Sequence, residues 1–545
     1  MKKKLLIIIT IFFLITLLGA CDEEALEEEL ETEEITEEGE AEVIEADFGG
    51  TLRLAIPEMP NGNPFYKGSI EGMHLQQLIF ESLVSFDEDF SIIGEIAKDW
   101  TFSDDGQVVE LELHSDATWH DGEPLTTEDI VFTVETIKNI PKEKVSPRIY
   151  QNSVKHISDI RELENGNVQV SFTRPYSNAM ETLTFPILPK HIFEGRPEAL
   201  TGEDFPWIGS GVYKLKEMNV EEFTLQKVPE HYRLNPYIEK IHVRVVKDNI
   251  QRRELFKSGE LDLYRNIYLD PSDLENMEDK KVHAFLSNHL EFVAFNFSTD
   301  SIAAGNRDFR RVLKQGIMKD QLIDEIYFGY ALAAGTPIHQ EHWLFNEDLK
   351  GQTEKLEEHE IQEIMEAEGF VYGEEGYWLD DNGVKLSLEI LVNKSHRPRV
   401  MAAEVIKGQL QNLGFEIIIV EEELNRIDQR LQDGDYELYL GAWELAFLPD
   451  VSFAFHSNFV GESNFMNYGN EALDEVLEEV FRAKTQEEKK ELFDELQSII
   501  FEDLPVISLY FLQETYVSGT SLHGELNPIS SNIFANIEQW FMETK

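Results

Sequence analysis

The chain has 545 residues and carries 105 Asp and Glu against 47 Lys and Arg, a formal net charge of −58 at neutral pH. A surface this acidic argues against nucleic acid as a partner, because phosphate contacts need Lys and Arg, and against adsorption to anionic lipid heads. Hydrophobic residues at 42% and aromatics at 11% are ample for packed cores, and a body of about 500 residues exceeds one core, so two or three lobes are expected.

Lys2, Lys3 and Lys4 precede an apolar run from Leu5 to Leu18, interrupted only by Thr10 and Thr16. The run is shorter than the roughly 20 residues a membrane span needs, and it fits the apolar stretch of a signal peptide over 1–20. It ends Leu18-Gly19-Ala20-Cys21, which resembles a lipobox. The resemblance implies a diacylglyceryl group on the Cys21 sulfur, cleavage before Cys21, and acylation of the new amino terminus. Cys21 is the only cysteine, so no internal disulfide is expected. The alternatives are a chance cysteine after an ordinary leader and an uncleaved N-terminal anchor. Residues 22–47 hold 15 Asp or Glu and no Lys or Arg. Such a run repels itself and buries no core, so 21–47 reads as a lipidated cysteine plus a disordered tether reaching ~30 Å or further. An acidic interaction tail is the rival, and nothing in the spacing matches a D-x-D-x-D-G cation loop.

In the body, Leu52, Leu54 and Ile56 alternate as a strand ending at Pro57. Met73 to Phe86 reads as an amphipathic helix running into an extended piece. Val109, Leu111 and Leu113 mark a strand over 107–113, and Trp119-His120-Asp121-Gly122 a turn. Thr126-x-x-Asp129 has capping-box spacing before the apolar run Ile130, Val131, Val134, Ile137. Strands follow near 166–173 and 240–246. Residues 309–328 place Phe309, Val312, Leu313, Ile317, Leu322 and Ile326 at helical spacing. Leu386–Val392 (strand), Val400–Leu413 (helix, capped by Gly414) and Phe415–Val420 (buried strand) then predict a right-handed parallel crossover. A further helix ends near Asp433-Gly434, Tyr436–Trp443 is a third strand, 471–502 one or two helices, and 506–511 a returning strand.

Several segments, taken in order, resemble the large solute-binding proteins of family 5, which serve peptide, nickel and related importers. They are Glu95–Trp100 with Ser103–Gly106, Trp119–Thr126 with Glu128-Asp129, and Gly209-Ser210-Gly211-Val212-Tyr213-Lys214-Leu215, where Val212 replaces the usual proline. Asn235-Pro236-Tyr237, Lys257–Asp262, Phe295-Asn296 and Arg310-Arg311-Val312 continue the series. The resemblance runs from about residue 50 to the end. It implies an α/β fold of the type II periplasmic-binding-protein kind, with two hinged α/β lobes plus an extra α+β domain. Residues 48–80, 205–300 and 512–545 would form lobe I, 81–204 the extra domain II, and 301–511 lobe III. Ligand would close the lobes about the hinge.

The same resemblance implies small peptides as ligands, held extended and paired to protein strands. It implies an ABC transporter permease and ATPase as partners, a monomer held at the outer face of the cell membrane through lipid on Cys21, and no cofactor. By position, Gly68 and Ser69 form one backbone-pairing segment and Ala442, Trp443 and Glu444 the other. Tyr66, Met59 and Trp343 line the cleft. Many peptide binders of the family place an Asp three residues after this Trp to pair the ligand ammonium; here that position is Ala446. A buried ammonium needs an acid, and either Glu444 or Asp450 takes the role, unless the ligand has no amine there. His339 and His342 have too few neighbours for a metal site, and none is expected. No G-x-S-x-G, H-E-x-x-H, P-loop or G-x-G-x-x-G occurs, so a binding protein rather than an enzyme is expected. The alternatives are the same fold holding a nickel complex, opine or sugar, a sensor domain, and a surface-anchored peptidase.

Overall fold

Alternation at Leu52, Leu54 and Ile56 gives β1 (Gly49–Ile56), with those three side chains buried. The structure, a computed structural model, describes residues 46–65, 68–139, 150–196, 205–266, 280–299, 301–352, 355–447 and 449–543. Helix α1 (Ile70–Gln77) starts at an N-cap, where the Ser69 hydroxyl accepts from the Gly72 amide at 3.3 Å. That satisfies one donor a helix start leaves bare. The helix begins earlier than the expected Met73 and gives way, as expected, to an extended piece that includes a strand at Val84–Phe86. The cause lies beyond its end, where the Leu78 and Ile79 carbonyls accept from the Tyr213 and Gly211 amides instead of continuing the helix.

The next stretch builds β2 (Ala97–Phe102), β3 (Val108–Leu113), α2 (Thr127–Asn139), β4 (Ile157–Glu162) and β5 (Val168–Phe172). Its strands form an antiparallel sheet in the order β2-β3-β5-β4, and α2 packs against β4. Asp129 closes the expected start of α2, its carboxylate accepting from the Thr126 amide at 2.8 Å. Strands β6 (Tyr213–Met218), β7 (Glu222–Lys227) and β8 (Ile238–Val245) then join the first strand in the order β1-β8-β7-β6, with β1 parallel to β8. Two glycines make the junction between these sheets. A Cβ on Gly209 would lie 1.8 Å from the Ile79 carbonyl oxygen, and one on Gly211 2.4 Å from that of Leu78. The His120 amide donates to the Gly209 carbonyl, and its Nε2 sits 2.8 Å from the Gly211 oxygen. The 119–122 turn and the 209–215 motif therefore dock on each other.

The remaining chain forms α3 (Asn249–Lys257), β9 (Leu263–Asn266), β10 (Lys281–Phe295), α4 (Arg307–Gly316), α5 (Lys319–Tyr327) and β11 (Ala331–Ala333). It continues with β12 (Ser387–Asn393), α6 (Arg397–Gln411), β13 (Glu416–Glu422), α7 (Leu424–Asp433), β14 (Leu438–Glu444), α8 (Glu471–Val480), α9 (Gln486–Asp503) and β15 (Val506–Ser518). Seven of these strands make one sheet, ordered β9-β15-β10-β14-β12-β13, with β11 also on β15. Strand β12 runs parallel to both β13 and β14, as the strand–helix–strand pattern requires. Apolar clusters cover its two faces. Two expectations change. The run 309–328 is two helices, α4 and α5, separated by extended Ile317 and Met318. The break is stable because Gln409 of α6 both accepts from and donates to the Met318 backbone. Strand β13, expected to be buried, is an edge strand, with Ile417 buried and Ile418 49% exposed.

Three motif residues act as backbone clamps. Asn296 donates to the Gly434 and Tyr436 carbonyls at 2.9 and 2.8 Å. Arg310 donates to the Asp503 and Leu504 carbonyls at the end of α9. Asp262 accepts from the Arg53 amide and guanidinium. Strands β10 and β15, of 15 and 13 residues, are the longest. They pair over 281–286 with 513–518 and over 290–294 with 506–511, and the ladder is interrupted at Ser287, Asn288 and His289. No described helix is long and apolar enough to cross a membrane.

Candidate ligand-binding site

Strand β14 ends at Glu444, at the carboxyl ends of parallel strands, where open α/β sheets hold ligands. Its register with β10 sets Glu444 opposite His289 and Ala442 opposite Glu291. Two-residue alternation puts the His289, Glu291 and Glu444 side chains on one face. His289 Nε2 lies 3.0 Å from Glu291 Oε1, and its Nδ1 lies 3.2 Å from Glu444 Oε2. Arg399, near the start of α6, donates from Nε and from its terminal nitrogen to the two Glu291 oxygens, both at 2.8 Å. Glu291 is fully buried. Burial pushes its carboxyl up, but the bonds from Arg399 and His289 outweigh that and hold it below the usual carboxylate range. Burial likewise opposes the charged form of His289, and Glu291 and Glu444 overcome it, raising the imidazole to about 9. At neutral pH, His289 is therefore a cation donating from both nitrogens. The Glu444 carboxylate at the outer end is 73% exposed.

A second group meets this one from the other side of the interrupted ladder. Arg265 of β9 donates from Nε to Glu514 Oε2 of β15 at 3.0 Å and stands 3.6 Å from Glu71 Oε1 of α1. Burial lifts the Glu514 carboxyl above its usual range; Arg265 opposes this, and the charges of Glu444 and Glu71 add to it. Glu71, just after Gly68-Ser69, thus belongs to the second group and Glu444 to the first, and the charge of Glu444 acts on Glu514. Strand β14 also has an open edge. Strand β12 pairs with it only at Leu438, Tyr439 and Leu440. Gly441–Glu444 have β10 on one side and, among the described residues, no strand on the other.

The other expected site residues are distributed as follows. Trp443 is buried, its ring 4.0 Å from that of Phe292 and edge-on to Phe453 and Phe455. Ala442 is half-buried. The Ser69 amide donates to Glu58 Oε1 at 2.8 Å, so that donor is already engaged, and Gly68 faces the same carboxylate. Asp450 is set apart from Glu444. It accepts from the Ser452 amide at 2.9 Å and lines a cavity of about 20 Å³ with His339, His342 and Phe447. Burial lowers His339 to about 4 and His342 to about 3, so both are neutral. Trp343 lines a different cavity, of about 340 Å³, with Trp100, Tyr176 and Lys489. Tyr66 and Cys21 lie outside the described residues. Among the described residues, no three metal-ligating side chains cluster.

Residues 91–465 match the sequence model of the bacterial extracellular solute-binding proteins, family 5 Middle. This chain belongs to that family. The oligopeptide-binding protein AppA of Bacillus subtilis is 22% identical over 91% of this chain and 92% of its own length. Its structure in complex with a nonapeptide superposes with a TM-score of 0.63 at 20% identity, over 92% of this chain and all of that one. The nickel-binding periplasmic protein of Escherichia coli is also 22% identical, over 83% of this chain and 87% of its own. The ABC transporter substrate-binding protein CtaP of Listeria monocytogenes matches with a TM-score of 0.75 at 21% identity, over 91% of this chain and all of that one. The fold is the family's two-lobed type II α/β architecture, and the family's members are solute-binding proteins.

Sequence reasoning missed His289, Glu291, Arg399, Arg265 and Glu514. One signal was present. His289 and Glu291 sit two apart in a run otherwise apolar through Phe295, so a strand there turns two ionisable side chains onto one face.

Proposed function

We propose that this chain is an extracytoplasmic lipoprotein that captures oligopeptides between its lobes and delivers them intact to the permease and ATPase of an ABC importer. The observation that carries this reading is the open edge of β14 at Gly441–Glu444. An extended peptide adds to such an edge through main-chain hydrogen bonds, which are indifferent to sequence. Glu444 lies at the end of that edge, and the peptide-binding relative supports the choice of ligand. In this reading lobe I is 48–80, 205–300 and 512–545, domain II is 81–204, and lobe III is 301–511. In the same reading Gly68 and Ser69 face Ala442–Glu444 across the cleft.

A second reading, a nickel complex as cargo, is favoured by the nickel-binding relative, which is as similar in sequence as the peptide-binding one. The mass of what co-purifies with the protein separates them. A retained peptide of a few residues, released intact, supports the first reading; a metal complex, or cleaved fragments after incubation with peptide, defeats it. The anchor is tested separately. Cys21→Ser is expected to move the protein from the membrane to the soluble fraction, and unchanged membrane association would remove the lipid from the picture.

A further inference from the structure

Four carboxylates, Glu71, Glu291, Glu444 and Glu514, meet three cations at the interrupted ladder, Arg265, Arg399 and charged His289. The pairing is uneven. Glu291 is saturated by Arg399 and His289, whereas Arg265 is shared between Glu514 and Glu71. Both contacts of Arg265 with Glu514 fall on Oε2, and no hydrogen bond among the described residues uses Glu514 Oε1. Two residues along the same face of β15 stands Tyr516. It is only 4% exposed, and among the described residues its hydroxyl has no hydrogen-bond partner. It is close enough to Arg265, Glu514 and Glu71 for their charges to act on it. Buried hydroxyls without a partner are uncommon and costly, and this one lies within reach of the Glu514 charge.

The Arg265 group is one positive charge short, with Glu71 and Glu514 sharing one guanidinium, and Glu514 Oε1 is an acceptor without a donor among the described residues. A primary ammonium brings both, since it carries one charge, three N–H donors and no acceptor. Resting on the peptide reading above, we propose that Glu514, with the Tyr516 hydroxyl and Glu444, receives the amino terminus of the captured peptide. The acid that pairs the ammonium then comes chiefly from β15, a strand on the far side of β10 from the one that ends in Glu444. Asp450 has no part in it, because it caps the Ser452 amide beside a separate cavity. The Glu514 carboxyl, lifted chiefly by burial and further by the charges of Glu444 and Glu71, fits the same account, since an arriving cation favours its ionised form.

The test uses the full chain and a pool of random pentapeptides lacking Lys and Arg, half with free and half with acetylated amino termini. The retained peptides are counted by mass spectrometry. The wild type is expected to prefer free over acetylated termini by about 10- to 100-fold. Glu514→Gln is expected to bring that preference near parity while acetylated peptides are retained as before. Tyr516→Phe is expected to reduce it about 3-fold. A preference left intact by Glu514→Gln, or a wild type with no preference, overturns the assignment while the peptide reading stands. A wild type that retains neither kind of peptide overturns both. Thermal melts check that the variants fold. Should Glu514→Gln unfold, Glu514→Asp takes its place, with a fall in preference of about 3-fold or more expected and no fall counting against the assignment.

Discussion

Two ion clusters in this molecule use the same residue types and end differently. In the first, Glu81 accepts from the Tyr232 hydroxyl at 2.8 Å and from the Arg233 guanidinium at 3.0 Å, with His231 at 3.6 Å. Both of its oxygens are engaged, and the cluster ties the 81–95 stretch to the segment between β7 and β8. In the second, Glu291 is engaged as fully as Glu81, but the chain of contacts continues through His289 to a carboxylate that is mostly in water. The difference teaches that burial and charge alone do not mark a site. What marks it is an acceptor left over once the internal partners are counted.

The largest expected effect is on the closed part of the second cluster. Arg399→Met strands Glu291 in the core, and a loss of about 3–5 kcal/mol is expected from urea unfolding. A loss under about 1 kcal/mol would mean that Glu291 finds another partner or water. Glu81→Gln keeps the shape of the first cluster but removes its charge, and about 2–3 kcal/mol is expected, with peptide retention unchanged. If retention falls as well, the two clusters are not separate in function and the comparison breaks.

Smaller effects sharpen it. The folded pKa of His289 lies above its unfolded value near 6.5. Its contribution is therefore fully present below about pH 6.5 and is lost as pH rises through about 9. The drop is expected to be roughly 1–2 kcal/mol, since the imidazole stays partly in water. Unfolding followed across pH 6 to 10 measures it, and His289→Gln should flatten that slope. Glu444→Gln should change stability at neutral pH by only about 0.5 kcal/mol, because its carboxylate is exposed, but it should move the His289 loss to lower pH. A pH profile identical to wild type would show that the two side chains do not interact.

Much of the scaffold was legible because period and packing agree. Leu52, Leu54 and Ile56 alternate and are buried, and the crossover through α6 follows from apolar spacing and a glycine stop. The helical spacing over 309–328 hides a break, because Ile317 keeps that spacing. The break depends on Gln409, which is distant in sequence. The family motifs were legible as identities but not as roles. Gly209, Gly211, His120, Asn296 and Arg310 are joints between segments, and nothing local to them says so. The site was the least legible part. Strand β15 was expected to stop at 511, where its apolar run gives way to Gln513, Glu514 and Thr515, so Glu514 and Tyr516 lay beyond the strand as read. His289, Arg399 and Glu514 come from three distant stretches, and only the strand order brings them together.

The interruption between β10 and β15 has a mechanical consequence. A pair of bonded strands resists stretching and sliding, and it flexes most easily where rungs are missing. Here the gap is spanned by a side chain, the Ser287 hydroxyl on the Leu512 carbonyl at 2.8 Å, which is a softer fastening than two backbone groups. The imidazole that titrates near pH 9 hangs from that same gap. The compliance of the ribbon and the charge on one ring are therefore set at a single place, and a change of protonation there acts where the pairing of β10 with β15 is interrupted.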